Sequence, residues 1–100
     1  MRQLEFFEAF FDEYTTGFED QSEELRRGFA IKKFHSLEVY KFAKRICVSL
    51  DLSQADYLAA MTSALFHDIG RFEQFKHFKT YVDRDSVNHA ARGVRVLREL

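Results

Sequence analysis

The chain contains no proline and only four glycines among its 100 residues, so few positions force the backbone to turn. Its apolar residues recur at three- and four-residue steps, which is the spacing of one helical face. The first such stripe consists of Leu4, Phe7, Phe11, Tyr14 and Phe18. These features predict an all-α fold, a bundle of about five helices joined by short turns, rather than a sheet of short strands.

Capping signals divide the first half of the chain. The first helix is predicted over residues 2–15, and Gly17 suits its C-terminal stop. Asp20 with Glu23 resembles a capping box, which would open a short helical turn that runs to Gly28. A long helix is then predicted over residues 29–50.

Similar signals divide the second half. Ser53 with Asp56 predicts the start of a third helix, which would end at Gly70 as its C-cap. A short helix is predicted within residues 71–80, and Asp85 or Ser86 is predicted to cap the last helix. The apolar stripe of that last helix is predicted to be Val87, Ala90, Ala91, Val94 and Leu97.

Composition restricts the setting in which the chain works. The hydrophobic fraction of 46% favours an ordered core, and the twelve phenylalanines are expected to pack there. The alternative is an aromatic surface that contacts a partner or a further part of the chain. A net charge of −1 argues against a long nucleic acid as the partner. No apolar run is long enough for a membrane span, and the single Cys47 cannot form an internal disulfide. These observations predict a cytoplasmic protein that does not bind membranes.

Three polar residues fall on helix faces that otherwise carry apolar side chains. His35 lies on a predicted internal face of the long helix, and His67 and Asp68 stand at the end of the third helix. Burying such groups is costly unless they have partners. Imidazole nitrogens and carboxylate oxygens are ordinary ligands of divalent metals, so one metal ion would satisfy all three residues. The alternative is that the histidines are satisfied by partners in the protein core.

The sequence around these residues resembles a known family. His35 in Ile-Lys-Lys-Phe-His-Ser and the pair His67-Asp68 in Ala-Leu-Phe-His-Asp-Ile-Gly-Arg-Phe look like the HD-domain superfamily of metal-dependent phosphohydrolases. The later run from Asp83 to Ala90 resembles a bacterial subgroup of that superfamily. The resemblance covers roughly residues 29–97 and implies an HD-domain-like helical bundle, with His35, His67 and Asp68 as metal ligands. We expect residues 1–100 to form this single domain.

One element of the family pattern is missing from the chain. The pattern ends with a further aspartate ligand on a later helix, whereas Asp83 and Asp85 precede His89 and are in the wrong order for that role. We therefore expect a single domain that is incomplete at its C-terminus. A degenerate site is the alternative.

The resemblance also implies roles for individual residues. The reaction would be hydrolysis of a nucleotide-like phosphoester by a water activated by one or two divalent ions, drawn from Mn, Fe, Mg, Zn, Ni and Co. Asp68 would bind metal and orient or deprotonate the water, and His89 would bind a second metal, hold phosphate or protonate the leaving group. Arg71 and Lys32 would bind phosphate oxygens, and Arg71 would assist catalysis. His89, Arg71 and Lys32 could each instead be a surface side chain. Arg71 would then be paired with a nearby carboxylate, that of Glu73 or Asp68.

Two functions are therefore compatible with the sequence. The first is a metal-dependent phosphohydrolase or phosphodiesterase that acts on a small phosphorylated or nucleotide-like substrate. The alternative is a non-catalytic HD-like helical module for ligand sensing or protein interaction. If the last helix is unfinished, Val94, Val96 and Leu97 are expected to be exposed on it, which would also allow a homo-oligomer.

Overall fold

A computed structural model describes residues 2–18, 22–86 and 88–99. In these ranges the chain forms helices and no strand. The elements are α1 (Arg2–Thr16), α2 (Glu23–Ser49), α3 (Gln54–Phe66), α4 (Gly70–Phe78), a short 3₁₀ turn (Asp83–Asp85) and α5 (His89–Arg98). The prediction of an all-α fold with about five helices is confirmed.

Side-chain caps start three of the helices. The hydroxyl of Ser53 accepts a hydrogen bond of 3.1 Å from the main-chain nitrogen of Asp56, as the sequence predicts. Ser22 caps α2 through a longer bond of 3.4 Å to Leu25. The proposed cap Asp20 lies outside the described residues. Asn88 caps α5, so the prediction that Asp85 or Ser86 caps the last helix is wrong.

Two glycines lie inside or at the start of helices, where the sequence predicted breaks. Gly28 falls within α2, so the predicted short turn before residue 29 does not exist as a separate element. Gly70 begins α4 and is not the C-cap of α3. Both are buried where another element approaches closely: a methyl group on Gly28 would overlap the ring of Phe75, and one on Gly70 would overlap the main-chain oxygen of His89. Close packing, not a left-handed turn, explains these two glycines.

The core is largely aromatic, as predicted, but not all the phenylalanines pack there, because Phe6, Phe34, Phe42 and Phe78 are exposed. Phe11 and Phe66 pack edge to face between α1 and α3, and the ring of Phe29 stacks on Phe72 with centroids 6.0 Å apart. Phe18 contacts both Phe29 and Phe72. This cluster fixes α2 against α4, the two helices that border the candidate site described below.

The face of α2 predicted to be internal is only partly so. Cys47 is buried, as expected. The following apolar residues of α2 are exposed: Ile31, Phe34, Leu37, Phe42, Ile46 and Val48. The helix instead buries a different strip, consisting of Gly28, Phe29, Ser36, Tyr40 and Cys47. A long helix with apolar residues on most of its circumference gives no unique inward face, which is why the periodicity was ambiguous here.

The inward face of α5 also differs from the predicted one. Gly93 and Val96 are buried and His89 is half-buried, whereas Val94 is exposed. The predicted stripe is therefore wrong, and Val87 lies outside the described residues. The expected exposure of Val96 is also wrong, because its side chain is part of the core. Small residues at the α4–α5 contact decide the orientation, because Gly93 lets the start of α4 approach. No described helix combines the length and apolar character needed to cross a membrane.

Candidate metal centre

Asp68 lies in the three-residue turn between α3 and α4, and it is the central residue of the site. Its side chain is only 10% exposed. The adjacent His67 points to the same place, because its Nε2 is 3.3 Å from Oδ2 of Asp68. Neighbours within a regular helix would diverge by about 100°, so the end of α3 is what allows both side chains to converge.

His35 reaches the same carboxylate from α2. Its Nε2 is 3.7 Å from Oδ2 of Asp68, and its ring centroid is 5.5 Å from that of His67. One ligand atom from each of the three residues lies within 4.8 Å of the others. The prediction that all three lie on internal faces is wrong for the histidines, whose side chains are 49% and 35% exposed. The two histidines lie at the solvent-exposed edge of the cluster, and Asp68 is the buried residue of the three.

The donor set suits a divalent metal. Nδ1 of His67 is 2.8 Å from the carbonyl oxygen of Ala64. Because a carbonyl can only accept, Nδ1 carries the proton and Nε2 of the neutral ring keeps its lone pair, as in most metal-bound histidines. Two ligands about 2.1 Å from one metal, at 90–110°, lie roughly 3.0–3.4 Å apart. The separation of 3.3 Å between His67 and Asp68 falls in that range, and the 3.7 Å between His35 and Asp68 lies above it, so His35 has to move toward the other two ligands to bind the same ion.

The carboxylate of Asp68 has many neighbours but no hydrogen bond to a described residue. Besides the two histidines, Lys32 Nζ lies 3.7 Å from Oδ2, and Arg71 Nε lies 3.8 Å from Oδ1. These contacts are ion pairs longer than a hydrogen bond. Arg71 Nε is itself buried, with no hydrogen-bond partner among the residues that the structure describes. Asp68 is therefore neutralised by nearby cations, while its oxygens keep their capacity to accept.

His89 approaches the other side of Asp68. Its Nε2 is 3.5 Å from Oδ1 of Asp68, and its Nδ1 is 3.0 Å from Oδ2 of Asp83. The residue is half-buried, so it is not simply a solvated side chain at the start of a helix. The structure thus brings together all six residues that the sequence singled out: Lys32, His35, His67, Asp68, Arg71 and His89.

Sequence reasoning missed three residues that support this arrangement. Asp83 accepts hydrogen bonds from Gln74 and Arg71, besides its contact with His89. Gln74 is completely buried, and Tyr81 accepts a hydrogen bond from Arg71 through its main-chain oxygen. The hydrogen bond from His89 holds the pKa of Asp83 below its usual value, and the hydrogen bond from Gln74 and the positive charge of Arg71 act in the same direction. The sequence feature that could have revealed this contact is Asp83 itself, six residues before His89. From the sequence alone, we considered Asp83 only as a metal ligand.

Comparison with protein families identifies the chain. The family model described as HD domain matches residues 34–100, which include five of the six residues above. The chain belongs to the HD domain family. HD domains are a family of metal-dependent phosphohydrolases, and the cluster of His35, His67 and Asp68 could hold the metal. Searches of curated proteins and of solved structures gave no match.

Proposed function

We propose that this HD domain hydrolyses a phosphoester of a small, nucleotide-like substrate with a metal-activated water. The observation that carries the proposal is the convergence of the ligand atoms of His35, His67 and Asp68 within 4.8 Å. The expected further aspartate ligand after residue 100 remains a prediction.

His35, His67 and Asp68 would hold the metal. A divalent cation bound there would lower the pKa of a bound water and polarise a phosphoryl oxygen. Asp68 has a second carboxylate oxygen, Oδ1, on the side of His89. That oxygen can orient the attacking water or accept its proton, and His89, once it has taken up a proton at Nε2, can give it to the leaving group.

Two cations support a phosphate as the substrate group. Lys32 and Arg71 both lie beside Asp68 with side chains that are mostly buried. A partly desolvated ammonium or guanidinium group interacts strongly with phosphate oxygens. Because Arg71 Nη1 already donates to Gln74, Tyr81 and Asp83, we assign the phosphate contact of this residue to the rest of its guanidinium group.

The test measures metal binding and hydrolysis with the same protein. Metal content after incubation with Mn²⁺ is determined by elemental analysis, and hydrolysis is followed with p-nitrophenyl phosphate and bis-p-nitrophenyl phosphate. We expect His35→Ala and Asp68→Asn to lower metal affinity by at least about tenfold and to abolish hydrolysis. His77→Ala is the matched control, because His77 is an exposed histidine on α4 that is not part of the ligand cluster.

The outcomes separate the possibilities. Equal metal content in the wild type, His35→Ala and His77→Ala would refute the metal site. Circular dichroism shows whether Asp68→Asn is folded, and His67→Ala, which changes a more exposed residue, provides a second test if it is not.

A second function is favoured by one specific observation. Several apolar side chains of α2 are exposed, among them Phe34 and Ile46. Such a surface is typical of a contact with another protein or segment, which would suit a non-catalytic HD-like module or a homo-oligomer. Metal bound at the cluster without hydrolysis of either phosphoester, together with self-association that Phe34→Ser weakens in light scattering, would favour this alternative.

A further inference from the structure

Asp83 is the acceptor on which three neighbouring side chains converge. Gln74 Nε2 donates to its Oδ1 at 2.8 Å, and Arg71 Nη1 donates to the same oxygen at 3.0 Å. Nδ1 of His89 lies 3.0 and 3.1 Å from its two oxygens. None of these three donors is a main-chain group, so the contacts are not those of a turn that caps itself.

The segment that carries Asp83 is fastened to the helices by side chains. Tyr81 donates from its hydroxyl to the main-chain oxygen of Gly28 on α2, at 2.7 Å. Gln74 Nε2 also donates to the hydroxyl of Ser86 at 3.0 Å. Because Gln74 is fully buried, the position of the segment on α4 is well determined. Contacts within the protein itself therefore hold the carboxylate of Asp83 beside His89.

The contact with Asp83 decides which nitrogen of His89 carries the proton. A carboxylate accepts hydrogen bonds, so Nδ1 of His89 is the protonated nitrogen and Nε2 of the neutral ring has the lone pair. That lone pair faces Oδ1 of Asp68 at 3.5 Å. Because both atoms are acceptors, they can share a proton or a cation that lies between them. With the opposite tautomer, Nε2 would donate to Asp68, and His89 could no longer take a proton or bind a cation there.

We propose that Asp83 is a positioning residue, which fixes the Nδ1-protonated tautomer of His89 and anchors Arg71 beside the carboxylate of Asp68. The consequence for catalysis rests on the proposed function, whereas the tautomer of His89 does not. A purely structural role for Asp83 would leave the tautomer unchanged as long as the protein stays folded.

The test is ¹⁵N NMR of the histidine rings in metal-free protein, at a pH where the rings are neutral. In the wild type we expect His89 as one tautomer, with Nδ1 protonated. In Asp83→Ala the ratio of the two tautomers falls by about tenfold or more, because a hydrogen bond to a charged acceptor is lost. Asp83→Asn keeps the shape and one acceptor oxygen, so it should give an intermediate ratio.

Asp12→Ala is the matched control. Asp12 is also an aspartate paired with a cation, Lys33, at 3.2 Å, but it lies on α1. Its replacement should leave the signals of His89 unchanged. An unchanged tautomer in folded Asp83→Ala, or the same change in Asp12→Ala, would overturn the proposal. If Asp83→Ala does not fold, Asp83→Asn decides: a ratio identical to that of the wild type counts against the positioning role.

Hydrolysis provides the second readout. With p-nitrophenyl phosphate and Mn²⁺, we expect Asp83→Ala to lower kcat by at least about tenfold while metal content stays near that of the wild type. An equal loss of bound metal would mean that Asp83 supports the metal cluster and not His89. If the wild type binds no metal and hydrolyses nothing, the proposed function fails, and the tautomer measurement still tests the role of Asp83.

Discussion

Replacement of Gly70 by alanine tests how closely α4 and α5 must approach. The added methyl group would overlap the main-chain oxygen of His89 and would lie 2.5 Å from the main-chain nitrogen of Gly93. Both are backbone atoms of α5, so no side-chain rotation can relieve the overlap. Ordinary contact of a methyl carbon begins near 3.4 Å, so α5 has to move by about 1 Å or more.

The expected cost follows from this displacement. Overpacking in a close-packed interior costs about 1–3 kcal/mol. The removal of a glycine from a helix returns at most about 1 kcal/mol, and less in the first turn where Gly70 lies. We therefore expect Gly70→Ala to lower the free energy of unfolding by about 1–2 kcal/mol, and the melting temperature by roughly 5–15 °C for a domain of this size. The movement also carries His89 away from Asp68.

Thermal unfolding followed by circular dichroism measures the loss, and the ¹⁵N signals of His89 report the movement. Gly17→Ala is the control, because Gly17 is exposed and the nearest atom to its added methyl group is Tyr14 O, at 3.3 Å in the preceding helix. That change should stay within about 0.5 kcal/mol. Equal melting temperatures for the wild type, Gly70→Ala and Gly17→Ala would refute the close contact between α4 and α5.

Two further changes test local features of the fold. Ser53→Ala removes a capping hydrogen bond of 3.1 Å, and we expect it to lower the free energy of unfolding in chemical denaturation by about 1 kcal/mol. Ser22→Ala removes a longer bond of 3.4 Å and should cost less, so the reverse order would contradict the assigned caps. Burial, and then the hydrogen bond to Glu8, raise the pKa of Tyr40 above its ordinary value. The neutral phenol therefore stabilises the fold fully below pH ~10, and this contribution is lost as the pH rises further. Tyr40→Phe should make alkaline unfolding less steep, and an unchanged profile between about pH 9 and 12 would argue against this role.

The helical architecture was predictable because its signals are local. Apolar spacing and the absence of proline indicated the helices, and Ser53 marked the start of α3 correctly. The orientation of α2 was not predictable, since this helix carries apolar residues on more than one side. The orientation of α5 was not predictable either, because the close approach of Gly93 to α4 decides it and the apolar spacing does not. Gly70 was misassigned for a related reason: a glycine at a helix boundary suits a C-cap equally well, and only the approach of another helix distinguishes the two roles.

The candidate site divides in the same way between local and distant contacts. His67 and Asp68 are neighbours, and Arg71 follows three residues later, so their proximity follows from the turn between two helices. The approach of His35 depends on the rotation of α2, for which the sequence suggested a fully internal face. The resemblance to HD domains supplied the pairing that periodicity alone could not specify.

The arrangement around Asp68 explains how a buried carboxylate can remain available to a ligand. Lys32 and Arg71 lie 3.7 and 3.8 Å from its oxygens, close enough to offset its charge but too far for hydrogen bonds. If directional hydrogen bonds satisfied Asp68 instead, a metal or a water would have to displace them. No side chain in the described part of the chain makes such a bond to Asp68, so a cation can bind its oxygens while both basic side chains remain beside the site to meet an anionic phosphate.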